Sequence, residues 1–119
     1  MLFIWGVNYM DLIWECIDWE WSDNQTPDDT AIKHATELLK AAKAADIFPE
    51  SAASGYSPTV RLFWRGGTVE VEVFPNSFEL YFLPSRGDKQ SFSITEFDAT
   101  SLDALPRLIR QLTTTLSQL

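Results

Sequence analysis

Seven acids, Asp11, Glu15, Asp18, Glu20, Asp23, Asp28 and Asp29, precede the first base at Lys33, and Trp14, Trp19 and Trp21 stand among them. Carboxylates interleaved with large aromatics suit recognition of a basic surface. Indole rings anchor interfaces, and clustered negative charge steers a cationic partner towards them. In this reading Asp11, Glu15, Asp18, Glu20 and Asp23 supply charge, with Trp19 and Trp21 as anchors. The plainer reading makes Trp14 core, lets Trp19 and Trp21 cover a helix end, and leaves the acids as a solvated face with helix-cap preferences. Both readings stay open at this level.

Other chemistry is poorly supported. Asp18, Glu20 and Asp23 lack the ligand ladder and central glycine of a calcium loop. His34 is the chain's one histidine and has no partner at ligand spacing except Glu37. Nucleophilic catalysis needs a base beside Ser, Thr or Cys, and nothing places His34 near Cys16. Cys16 is alone, so it reads as a buried, inert thiol in a reducing setting. Gly66-Gly67 is no phosphate loop, since neither a helix nor a P-loop lysine follows it. The expectation is a non-enzymatic protein without metal or cofactor.

Composition narrows the partner class. At 119 residues and 45% hydrophobic content the chain suits one domain, residues 1–119, with a sizeable core. Nine Lys and Arg against seventeen Asp and Glu leave a net charge of −8. That balance disfavours direct binding to nucleic acid, which needs clustered cations, and points towards a basic protein partner or simply towards solubility. The apolar start MLFIWGVNYM has no basic residue before it and is broken by Asp11 and Glu15, so it reads as neither signal peptide nor anchor. The expected setting is cytoplasmic, away from membranes.

These residues need elements to position them. Asn8 can cap a helix from Tyr9 to about Asp18, with Met10, Ile13, Trp14 and Ile17 as its apolar stripe. Thr26-Pro27-Asp28-Asp29 reads as a second helix start with Thr26 as the cap, and Ala31, Ile32, Ala35, Leu38, Leu39 and Ala42 repeat at helical spacing to about Ala45. Residues 49–58 have loop composition. Leu102, Leu105, Leu108, Ile109, Leu112, Leu116 and Leu119 form the stripe of a C-terminal helix that starts near Leu105, because Pro106 is tolerated only in a first turn.

Between the helices lies the clearest pattern, TVRLFW-RGGT-VEVEVF over 59–74. A two-residue Gly66-Gly67 turn sets Trp64 against Val69, Leu62 against Val71 and Val60 against Val73 on one face. On the other face it sets Arg61 against Glu72 and Phe63 against Glu70. Two further strands follow, Phe78–Leu83 and Ser91–Phe97. The expected fold is α+β: a four-stranded antiparallel meander with two N-terminal helices and one C-terminal helix packed on one face. Its open face would carry Phe63, Phe74 and Tyr81, a second candidate interface.

The order Trp21-Ser22-Asp23, Thr26-Pro27-Asp28-Asp29, the Ala/Leu helix, Leu62-Phe63-Trp64, the Gly-Gly turn and Val-Glu-Val-Glu-Val resembles a group of small uncharacterised bacterial and phage proteins. The likeness covers roughly residues 19–83 and implies fold order and origin, with no activity attached. The functional expectation is therefore an acidic protein that occludes a basic surface of a partner, as an inhibitor, immunity protein or antitoxin does, in part by mimicking nucleic-acid charge. The alternative is a homodimeric structural module joined through the sheet face or the C-terminal helix.

Overall fold

Alternation of apolar and polar side chains in Val60–Trp64 and Val69–Val73 sets the frame of the molecule. In the computed structural model, which describes residues 13, 14, 17–20, 27–55, 58–84 and 92–119, these segments pair with Val60 on Val73, Leu62 on Val71 and Trp64 on Val69. All six side chains are buried. The turn between them needs left-handed backbone at both glycines, Gly66 at φ 64° and Gly67 at φ 94°, which glycine adopts without strain. Arg65 is also left-handed, at φ 55°. The Glu50 carboxylate holds this turn by accepting the N–H groups of Arg65 and Gly66, both at 2.9 Å.

The sheet is larger than a four-stranded meander. Among the described residues six strands run in chain order: β1 Asp18–Glu20, β2 Ser51–Ser54, β3 Val60–Trp64, β4 Val69–Val73, β5 Ser77–Phe82 and β6 Ser93–Asp98. From β2 to β6 each successive pair is antiparallel, and β1 lies parallel to β2. The 49–58 stretch is thus not all loop. Its Ala and Ser side chains carry little strand preference, and β2 forms because its backbone completes the free edge of β3, with Ala52 buried opposite Leu62.

The first predicted helix is likewise corrected. Ile13 and Trp14 are helical, but Asp18, Trp19 and Glu20 belong to a strand instead of a helix end. Helix α1, Asp29–Ala44, provides the crossover that a parallel β1–β2 pair requires. Ile17 is buried and lies in a bend, not a helix; residues 9–12, 15 and 16 of that predicted helix lie outside the described residues, as does Thr26.

Asp28, not Thr26, caps α1. Its side chain accepts the Thr30 N–H at 2.9 Å, so the helix begins two residues later than the Thr-Pro pattern indicates. The other end closes with Asp46 left-handed at φ 61°. There Ile47 N–H bonds the Ala42 carbonyl and Asp46 N–H that of Lys43, a glycine-free version of the usual helix stop. The Ile47 carbonyl then accepts the Trp64 indole N–H at 2.6 Å, tying helix end to sheet.

Helix α2, Ala104–Ser117, buries Ala104, Leu108, Leu112 and Leu116, while Leu102 lies outside it and is fully exposed. Helix α1 packs on β3 and β4, and α2 on β5 and β6; the two helices also touch each other. Both cover the face that carries Leu62, Val71 and Leu80. In β6 the buried residue is Phe97, whereas Phe92 and Ile94 are exposed, because pairing of Phe97 with Phe78 fixes the parity of the whole strand. Among the described residues no helix is long and apolar enough to cross a membrane.

Candidate functional site

The face of the sheet opposite the helices is where charge collects. Side chains two apart on a strand share a face, so register alone aligns Arg61, Glu72, Glu79 and Glu96 across β3 to β6. A second row aligns Phe63, Glu70, Tyr81 and Ile94. The described strands carry Arg61 as their one base. Glu72 directly opposite Glu79, and Glu79 opposite Glu96, are like-charge pairs that work against the sheet.

Two local networks offset that repulsion. Arg61 reaches diagonally to Glu70, with Nε to Oε2 at 2.8 Å and Nη2 to Oε1 at 3.1 Å. Glu70 is buried, and the two-point bond satisfies a carboxylate that is largely withdrawn from water. The bond in turn holds the Arg61 guanidinium above its ordinary pKa. The same guanidinium lies 5.0 Å from the Phe63 ring centre, so Phe63 has a charged cover. Arg61 is opposite Glu72 in register, as the hairpin pattern predicts, yet bonds Glu70.

The second network explains that choice, because Glu72 is already engaged. It accepts the Thr59 hydroxyl at 2.7 Å and the Tyr81 hydroxyl at 3.2 Å. Tyr81 also lies against Glu79 in a short hydrogen bond. A phenol has one proton to donate, so Tyr81 serves one carboxylate at a time while two compete for it.

Burial, then the bond to Glu79, then the charge of Glu72 push the Tyr81 hydroxyl well above its ordinary pKa. Its folded value exceeds the unfolded one, near 10, so above that pH the unfolded chain releases a proton that the folded chain keeps. Stability from this group is therefore complete below about pH 10 and falls as pH rises. Urea unfolding at pH 9 and pH 11.5 should show a smaller alkaline loss for Tyr81→Phe than for the parent. Equal losses would mean that Tyr81 titrates alike in both states.

A shallow groove of about 450 Å³ runs across this face, lined by Arg61, Glu70, Glu72, Tyr81, Leu83 and Ile94. It pairs carboxylates with an apolar end at Leu83 and Ile94, both exposed. Such a surface suits long cationic side chains, whose stems pack on apolar atoms while their heads meet acids. Among the described residues no group of three His, Cys, Asp or Glu is arranged to hold a metal. His34 is not a surface histidine: it is half-buried, its ring 6.1 Å from that of Phe78, and its Nδ1 is buried without a hydrogen-bond partner among the described residues.

Of the partner-binding residues expected from sequence, Asp18 is exposed on β1. Trp19 and Glu20 lie in the same strand, in register with Ala52 and Ala53, so the acidic segment enters the same sheet as the carboxylate rows. Asp11, Glu15, Trp21 and Asp23 lie outside the described residues. Phe63, Phe74 and Tyr81 are half-buried, and the polar cover of Phe63 and Tyr81 makes this a charged surface more than an aromatic one. The hairpin pattern puts Glu70 and Glu72 on the open face, and the alternation of Phe78, Leu80 and Phe82 adds Glu79; only the β5–β6 register adds Glu96 and completes the row. The chain matches no family model, no curated protein and no solved structure.

Proposed function

We propose that this is a small, acidic, non-enzymatic binding protein whose open sheet face occludes a basic surface of a partner protein, in the manner of an inhibitor, immunity protein or antitoxin. The observation that carries the reading is the row Glu72, Glu79, Glu96 on three neighbouring strands, in a chain of net charge −8. Neighbouring strands repeat at about 4.8 Å, so the row is a regular line of fixed negative charge, and a surface that binds phosphates would accept it. Placing like charges in register has a folding cost, which a complementary partner would relieve on binding.

The test is capture from the native host at low and high salt, followed by rate measurements on the purified partner. Glu72→Gln/Glu79→Gln/Glu96→Gln keeps the shapes and removes the charges. Its association rate should fall about tenfold or more at low salt, with a weaker salt dependence than the parent. A partner bound equally fast by both proteins would sink the reading.

A further inference from the structure

The free edge of β6 has features that the row of acids does not explain. Strand β6 is an end strand of the sheet, and no described strand pairs with its outer side. Ala99 N–H bonds the Asn76 carbonyl at 3.0 Å. Antiparallel pairing alternates along a strand, so Ser93, Thr95 and Phe97 also face β5 through their backbones. The N–H and C=O groups of Ile94 and Glu96 and the N–H of Asp98 therefore point to the open edge, while the Asp98 carbonyl accepts the Ser101 N–H at 3.0 Å.

The two sides of that edge differ in charge. On the open-face side stand Glu96 and Asp98, beside Glu79 and next to exposed Ile94. On the helix side α2 leaves Ser93 and Thr95 exposed, and a groove of about 390 Å³ there is lined by Thr95, Phe97, Arg107, Arg110, Gln111 and Thr114. Arg107 sits 5.7 Å from the Phe97 ring centre. One side is acidic and the other basic.

We propose that β6 takes up an extended segment of the partner as an added antiparallel strand, whose side chains alternate between basic residues towards Glu96 and Asp98 and acidic residues towards Arg107 and Arg110. Side chains of an added strand point alternately to the two faces, so this charge pattern is the complement of the edge. Backbone hydrogen bonds give such docking its affinity and alternate side chains its specificity. A second copy of the chain fits poorly: pairing two β6 edges about a two-fold brings Arg107 and Arg110 towards their own copies and sets two chains of charge −8 together. The proposal rests on the reading that the partner presents positive charge.

The test uses two synthetic eight-residue peptides, one alternating Lys and Glu and one with four Lys followed by four Glu, together with octalysine. The alternating peptide should bind at least tenfold tighter than the block peptide and slow amide exchange at Ile94, Glu96 and Asp98. Glu96→Pro removes an edge N–H without breaking the β5 ladder and should abolish that binding, while Glu96→Gln weakens it only a few-fold.

Binding of the alternating peptide without protection of these amides, or unchanged binding to Glu96→Pro, would overturn the edge proposal. If octalysine still bound and the Glu72→Gln/Glu79→Gln/Glu96→Gln protein did not bind it, the face reading would survive that failure. Protection of Ile94 and Glu96 without peptide, rising with protein concentration, would identify a second copy as the occupant and also overturn the proposal.

Discussion

Leu62→Ala should lower the unfolding free energy by about 2–5 kcal/mol, a large part of the roughly 5–15 kcal/mol that a domain commonly has. Leu62 is fully buried and stands between Val71 on one side and the small Ala52 on the other. Ala52 cannot swing in to fill the space, so the lost contacts remain as a cavity. One residue on, Phe63 is half-buried under the Arg61 guanidinium; Phe63→Ala forfeits partial burial and a cation–π contact of about 0.5–1 kcal/mol. Urea unfolding of the two variants compares the faces of β3 directly. A Phe63→Ala cost equal to that of Leu62→Ala would mean that the open face is covered in solution.

Gly55→Ala is the second large effect, expected at about 1–3 kcal/mol through overpacking. A Cβ at this position would lie 1.8 Å from Thr59 Oγ1 and 2.9 Å from Glu72 Oε2. Neither neighbour yields easily. Thr59 is buried, its carbonyl accepts the Gly55 N–H at 3.0 Å, and its hydroxyl donates to Glu72. Moving Thr59 aside therefore also strips Glu72 of a donor and loosens one end of the acidic row. Thr59→Ala in the same chain removes the nearest clash, so the double variant should be more stable than the sum of the two single losses, with a coupling of about 0.5–3 kcal/mol. Strict additivity in a double-mutant cycle would contradict this account.

Legibility from the sequence followed the size and spacing of side chains. The hairpin of Val60–Trp64 and Val69–Val73 was readable to the residue because three apolar pairs and a glycine turn agree on one register. Helix α1 was readable from its alanine and leucine spacing, though its start moved from Thr26 to Asp28. Strand β2 was not readable, since Ser51–Ser54 has no large side chain to alternate and is specified by the strand it joins. Phe92 and Ile94 resemble a buried alternation, yet the Phe78–Phe97 pair turns them outward.

The candidate site was legible in the same uneven way. Glu70 and Glu72 fall on the open face by counting from Gly66-Gly67, and Glu79 and Tyr81 by alternation with Phe78, Leu80 and Phe82. The short parallel strand at Asp18–Glu20 was hidden, because three residues ending in a Trp-Glu pair read equally well as a helix end. That Arg61 bonds Glu70 instead of Glu72 depends on Thr59, a residue with no periodic signal. Side chains that settle competition for a hydrogen bond leave no pattern in a linear sequence.

Strand order that equals chain order has a consequence during synthesis. Each of β3 to β6 can dock on the strand made just before it, so the sheet requires few distant encounters, a property that favours fast folding. The helices are less evenly timed. Helix α1 precedes the strands it covers, while α2 follows β5 and β6 and is the last described element to leave the ribosome. Until it does, Phe78, Leu80 and Phe97 lack the cover of Leu108 and Leu112. That half-built sheet is the nascent form most exposed to aggregation, and the acids already standing on its other face keep such intermediates apart by mutual repulsion.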